Sequence, residues 1–219
     1  MNRPLCLVDY DNCCVDLVGG ICDYLTGKYV LKGHSPWFVP VTPADCTDYG
    51  MMSLVNKAAP EHRAAICREI VALFSNPRFM HDLKPLPGAQ AAVRQLAERY
   101  DIWVLTSRRY DTMGKVTAKS VATHFPWFED NRALRIKHAE NKAAYAKANR
   151  ASVVYEDNGN TAAAIAKAGV NVVLISQPYN LDVSIRSRFF SRAASLLDAT
   201  KGRGPSELDQ LWSKQLQEV

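Results

Sequence analysis

Long apolar runs are missing from this 219-residue chain, so no transmembrane helix is expected. The opening MNRPLCLVDYDN holds too short an apolar stretch for a signal peptide. The six cysteines (Cys6, Cys13, Cys14, Cys22, Cys46 and Cys67) contain no Cys-x-x-Cys pair, and no closely spaced histidine pair accompanies them. A structural zinc site is therefore not expected, and free thiols packed as small apolar residues are. Blocks of like charge are missing too. A net charge of +5 suits an anionic substrate but falls short of a dedicated nucleic-acid binder. There is no internal repeat. Charged residues make up 22% and apolar residues 47%, which excludes long disorder. What remains is a soluble, intracellular protein of a reducing, cytoplasmic compartment, built as one core or one core with an insertion.

What the chain does contain is strands alternating with helices. PLCLVDYD reads as a short buried strand ending at Asp9, and DIWVLTS, SVVYEDN and VNVVLIS as three more. Apolar spacing predicts helices over Val15 to Tyr29, PEHRAAICREIVALFSNP, AQAAVRQLAERY, TAKSVATHF, HAENKAAYAKANR and TAAAIAKAG. In the second of these, Ile66, Ile70 and Leu73 share a face with Cys67 and Phe74. Residues 30–60 read as a Pro- and Gly-rich loop, and the C-terminal tail as a Gly/Pro break followed by a short amphipathic helix. The alternation indicates an α/β fold, an open parallel sheet flanked by helices. Residues 17–84 break the rhythm and read as an inserted helical cap, leaving 1–16 and 85–219 as the core.

In such sheets ligands bind beyond the carboxyl ends of the strands. Three predicted strands end in chemistry there: Asp9 and Asp11, Thr106 and Ser107, Glu156 and Asp157. One acid after a strand is commonly a helix cap. Acids gathered from several strands repel one another unless a cation sits among them, and hard oxygen donors without a His or Cys cluster point to Mg²⁺. Two aspartates separated by one residue suit a division of labour. One carboxylate attacks a phosphoryl group, and the other protonates the leaving oxygen and then activates water. Thr106, Ser107 and a lysine would hold the phosphoryl oxygens.

The order DYDNCCVD, VLTSRR, a lysine and VVYEDN resembles the haloacid-dehalogenase-like phosphohydrolase superfamily, and within it the 5'(3')-deoxyribonucleotidase branch with its bacterial and phage relatives. Asp9, Asp11, Asn12 and Asp16 stand in the spacing of that branch's first motif, and NVVLISQPYN is similar to its later strand and Q-P-Y-N ending. The resemblance implies a Rossmann-like core with a small cap after the first strand. It also implies Asp9 as nucleophile and metal ligand, Asp11 as general acid/base with a metal-binding backbone carbonyl, and Asp157 as a further ligand. Thr106 and Ser107 would bind phosphate. Glu156 would act from behind the metal or through a water. Lys119, thirteen residues beyond Thr106, matches the branch's lysine, with Lys142 as the alternative. Arg108 stands where a proline is common, and Asp16 reads either as a residue that supports the site from behind its ligands or as a cap-hinge residue.

Specificity should come from the cap. Tyr24, Tyr29, Trp37, Phe38, Tyr49, Phe74 and Phe79 could stack on a base; Trp37 and Phe38, in a Pro-rich loop, are the leading candidates to line the pocket, with Phe79 and Arg108 beside them. The reading is an Mg²⁺-dependent phosphomonoesterase for nucleoside monophosphates, with deoxyribonucleotides favoured. It expects no membrane and no stable nucleic-acid complex, and a homodimer is compatible with it. Its rivals are a phosphatase of another small ester or of nucleic-acid ends, and an inert binding protein of the same fold.

Overall fold

The computed structural model describes residues 3–33, 35–126 and 135–201, so the expected C-terminal helix lies outside the described residues. Six parallel strands form one sheet in the order β3-β2-β1-β4-β5-β6. They are β1 (Leu5–Val8), β2 (Asp101–Thr106), β3 (Arg135–His138), β4 (Val153–Glu156), β5 (Val172–Ile175) and β6 (Phe190–Ala193). The two-residue alternation of strand side chains sorts the apolar residues onto two faces. Cys6, Val8, Ile102, Val104, Val153 and Tyr155 pack on one side, while Leu7, Leu105, Val154 and Leu174 pack on the other. Burial on both faces explains why β1, β2, β4 and β5 read as apolar runs in the sequence.

β3 and β6 were not anticipated. They are the two edges of the sheet, and RIKH and FSRA carry no apolar run to mark them. Their pairing comes from the neighbouring strand, a tertiary contact that periodicity does not encode.

Between β1 and β2 the chain forms α1 (Leu17–Leu25), which continues as a π-helix over Thr26–Lys32, then α2 (Met52–Val55), α3 (Arg63–Phe74) and α4 (Pro77–Asp82). The way in and the way out of this cap run side by side. The Asp16 N–H donates to the Lys84 carbonyl at 2.8 Å, and the Leu86 N–H donates to Cys14 at 2.9 Å. Asp16 caps α1 by accepting from the Gly19 N–H at 2.7 Å. Phe38, Val41, Leu54, Ile66, Ile70 and Leu73 bury the cap interior, and that interior is continuous with one face of the sheet.

The other helices are α5 (Ala89–Arg99), α6 (Tyr110–His124), α7 (Lys142–Ala148), α8 (Gly159–Lys167) and α9 (Leu196–Lys201). α5 buries Ala89, Ala92, Val93 and Leu96 at helical spacing. Its entry needs Gly88, whose φ is +77° and where a Cβ would meet Leu197 at 2.8 Å. α6 begins seven residues before the predicted TAKSVATHF. The six cysteines are unpaired, and all but Cys67 are buried. Among the described residues no helix is long and apolar enough to cross a membrane.

Candidate active site

β1 and β4 are neighbours, so their carboxyl ends put Asp9 beside Glu156 and Asp157. All three carboxylates are buried, and each offers an oxygen within 4.8 Å of the others. One ammonium enters this group. Lys142, at the first turn of α7, lies 2.7 Å from Asp9 Oδ2 and 2.9 Å from Glu156 Oε2. Three acids against one base leave two negative charges without a partner at full ionisation. Burial, reinforced by Glu156, pushes Asp9 up to about 7. Burial and the Asp9 charge do the same to Asp157, also to about 7. Burial alone would lower Lys142, but Asp9 and Glu156 outweigh it and hold the ammonium well above its ordinary range.

Asp11 sits higher and partly exposed. Arg108 grips both its oxygens, Nε to Oδ2 at 2.9 Å and Nη2 to Oδ1 at 2.6 Å. The guanidinium is itself fixed, 4.8 Å from the Tyr10 ring centroid and 3.4 Å from the Met80 carbonyl of α4. The residue that displaces the expected proline after Thr106-Ser107 thus ties Asp11 to the cap. Thr106 is fully buried and its hydroxyl accepts from the Arg108 N–H at 3.1 Å. Ser107, by contrast, borders the cleft.

Asn12 makes the turn out of β1, with φ of 55°, a left-handed conformation that asparagine tolerates better than most residues. Its Nδ2 donates to Asp157 Oδ2 at 3.3 Å and its Oδ1 accepts from the Val18 N–H at 3.0 Å. The opening motif therefore touches the acidic end of β4 and the start of the cap through one side chain.

Several expected residues fall elsewhere. Lys119 is exposed on α6 and does not border the cleft, where Lys142 does. The spacing from Thr106 places Lys119 on α6, which turns this position to solvent, whereas Lys142 opens a different helix, α7. Trp37 and Phe38 are also outside the cleft. Phe38 is buried, and Trp37 stacks on His62 at 4.0 Å and contacts Tyr29 at 5.0 Å. A loop can bury aromatics as well as a helix can, when it folds back on its own cap. Phe79 packs edge-on against Tyr24 at 6.2 Å, in a groove between α1 and α4. Phe74 was expected on the packed face of its helix; it is 39% exposed and borders the cleft.

The cleft holds about 310 Å³. Asp9, Asp11, Glu156, Asp157, Lys142, Ser107 and Arg108 form its polar floor, and Tyr49, Met51, Phe74, Met80 and Met113 its apolar walls. Tyr49 and Phe74 are among the aromatics that the sequence offers for stacking on a base, whereas Met51, Met80 and Met113 escaped the sequence reading because they come from separate stretches with no shared pattern. Tyr179 also escaped it. Its hydroxyl donates to Asp157 Oδ2, and its place just past β5 was the available signal.

A family model described as "5' nucleotidase, deoxy (Pyrimidine), cytosolic type C protein" matches residues 3–201. The chain belongs to this family. It is a phosphoric monoester hydrolase of the 5'-nucleotidase type, on the fold of the haloacid dehalogenase-like hydrolases. Among solved structures, an L-2-haloacid dehalogenase superposes with a TM-score of 0.53 at 17% identity, covering 92% of this chain and 99% of that one. A haloacid dehalogenase-like hydrolase from Burkholderia xenovorans gives 0.54 at 15%, covering 92% and 97%. A HAD-hydrolase from Bacillus subtilis, bound to magnesium, gives 0.54 at 13%, covering 92% and 98%. At these identities the likeness is one of fold. No curated protein sequence matches the chain significantly.

Proposed function

We propose that the enzyme hydrolyses nucleoside monophosphates, deoxyribonucleotides among them, with Mg²⁺ and through an aspartyl-phosphate. The observation that carries this reading is the pairing of a buried carboxylate, Asp9, with one ammonium and two further acids at the floor of a cleft whose walls are apolar. The donor set fits the ion. It is all oxygen, it is buried, and it carries two uncompensated negative charges. Asp9, Asp157 and the Asp11 carbonyl would hold the magnesium, with Glu156 behind them on Lys142. Bound there, magnesium supplies charge neutralisation at the phosphoryl oxygens.

The protein's own groups divide the work. An Asp9 oxygen forms a bond to phosphorus as the ester P–O bond breaks, and the leaving oxygen takes a proton from Asp11. Asp11 then accepts a proton from water, whose oxygen bonds to phosphorus while the Asp9 acyl-phosphate bond breaks, releasing inorganic phosphate and restoring Asp9. Both Asp11 oxygens accept from Arg108 at rest, so the first step requires Asp11 to free one oxygen from the guanidinium and take up on it, from solvent, the proton that it passes to the ester oxygen. Lys142 holds Asp9 in place and faces the charge of the transferring group. Ser107 and the backbone beside it are the donors for the phosphoryl oxygens.

The base would lie against Phe74 and Tyr49 rather than Trp37 and Phe38. A cleft of about 310 Å³ is at the small end for ligand pockets and suits a mononucleotide better than a polymer end. Six unpaired thiols suit a reducing, cytoplasmic setting. A screen of ribo- and deoxyribonucleoside monophosphates, sugar phosphates and a 5'-phosphorylated oligonucleotide, each with and without EDTA, tests the reading. Metal-dependent phosphate release confined to mononucleotides is expected. Equal rates on the oligonucleotide would overturn the substrate assignment, and turnover unaffected by EDTA would overturn the metal.

A further inference from the structure

The Q-P-Y-N sequence after β5 remains unused by the chemistry above, yet each of its three polar side chains ends at the active site or holds one that does. Gln177 Nε2 donates to the Asn12 carbonyl at 2.8 Å, fixing the turn that follows Asp11. The Tyr179 hydroxyl donates to Asp157 Oδ2, the oxygen that also accepts from Asn12 Nδ2. Asn180 Nδ2 donates to the Asp157 carbonyl at 2.7 Å and to the Ile175 carbonyl at 2.9 Å. One short turn thus grips the acidic ends of β1 and β4 together.

The turn is itself rigid. The Gln177 N–H donates to Asn180 Oδ1 at 3.0 Å, and the Asn180 N–H donates to the Gln177 carbonyl at 3.0 Å. Arg192, on the edge strand β6, donates to Asn180 Oδ1 and to the Asn180 carbonyl, both at 2.9 Å. Tyr179 and Asn180 are buried. Asp157 is buried too, so its carboxylate orientation is set by these donors rather than by water.

We propose that Tyr179 is a positioning residue for the metal: with Asn12 it occupies Asp157 Oδ2 and leaves the other oxygen to face the cation. The turn from Gln177 to Asn180, clamped by Arg192, is the frame that holds it there. This rests on the magnesium reading. Donors that orient a ligating carboxylate contribute to ion affinity without touching the ion, and their loss typically weakens it by about 10–100-fold.

Calorimetric titration of the full chain with Mg²⁺ alone, in wild type, Tyr179→Phe and Asn12→Gly, tests this without substrate. Phenylalanine keeps the ring and removes only the donor. Glycine keeps the left-handed turn and removes the other donor to the same oxygen. Tyr179→Phe is expected to bind Mg²⁺ about tenfold more weakly or worse. Its phosphatase rate should then recover towards wild type at high Mg²⁺, with the KM for nucleotide unchanged. Asn12→Gly should also weaken binding, and it carries the test should Tyr179→Phe fail to fold. Variants that bind Mg²⁺ as tightly as wild type, with or without a lower melting temperature, overturn the positioning role while leaving the magnesium reading intact. Wild type that takes up no Mg²⁺ overturns both.

Discussion

The molecule has two dense clusters of residues that a sequence reader would pick out, and they have opposite fates. At the sheet, Asp9, Glu156, Asp157 and Lys142 come from three separate stretches and meet in one buried group. In the cap, Tyr29, Trp37, Phe38 and His62 also meet, with ring centroids 4.0 to 6.3 Å apart, and border no part of the cleft. The first cluster stores unfavourable electrostatics, which folding does not need. The second buries apolar surface, which a cap of short helices does need. Chemistry is marked by a grouping that is costly without a ligand.

The sharpest way to break this contrast is Asp9→Asn. It leaves the volume unchanged and removes one of the repelling charges. Turnover should fall by about 10⁴-fold or more, as for loss of a nucleophile, while the fold is retained. Phosphate release on the best nucleotide, set beside a circular dichroism spectrum, checks both halves. Activity within tenfold of wild type would remove Asp9 from the role of nucleophile.

Lysine placement gives the next largest effect. Lys142→Ala removes the ammonium paired with Asp9 and Glu156 and should cost about 10²–10³-fold in kcat. Lys119→Ala, on the exposed side of α6, should leave kcat within about twofold, as surface changes do. If Lys119→Ala were the damaging one, the site would have to rearrange on binding substrate.

These two lysines show how far the sequence could be read. The parallel sheet was legible, and with it the gathering of Asp9, Asp11, Glu156 and Asp157 around one cleft, because a parallel sheet sends every strand's carboxyl end to the same edge. That rule needs only strand order in the chain. Choosing between Lys119 and Lys142 needs the placement and rotation of two different helices, α6 and α7, and a helix can turn either face to a cleft. The edge strands β3 and β6 were hidden because pairing, not composition, makes them strands. Arg108 could be seen as a departure after Thr106-Ser107, but its grip on Asp11 depends on the approach of α4 from the cap.

Cap aromatics supply a smaller test. Phe74→Ala should raise the KM for nucleotides about tenfold if its ring stacks on the base, since such stacking contributes about 1–3 kcal/mol. Trp37→Ala should leave KM within about twofold, because its ring faces His62 and Tyr29. Steady-state kinetics on one nucleotide and on a sugar phosphate decide it: the Phe74 effect should vanish for the sugar phosphate. A KM rise for Trp37→Ala alone would reverse the assignment of the base pocket.

The smallest effect lies in the pH dependence of stability without metal. Burial raises Asp9 and Asp157 from 3.8 to about 7. Between those values the folded protein keeps protons that the unfolded chain has released, so rising pH favours unfolding across that window. Below about 4 both states are protonated and the acids contribute no slope; above about 7 both are ionised and the loss is complete. In EDTA the melting temperature should therefore fall from pH 4 to 7, beyond what surface groups produce. Added Mg²⁺ should flatten the fall, because a cation among the carboxylates favours their ionised forms. Asp9→Asn removes one of three raised carboxylates, Glu156 being the third, and with it the charge that helps raise Asp157, so the slope in EDTA should become shallower, whereas Trp37→Ala should shift the whole curve without changing its shape. A flat profile in EDTA would mean that the carboxylates share their charge with solvent, and the cluster at the strand ends would lose the strain that sets it apart from the cap.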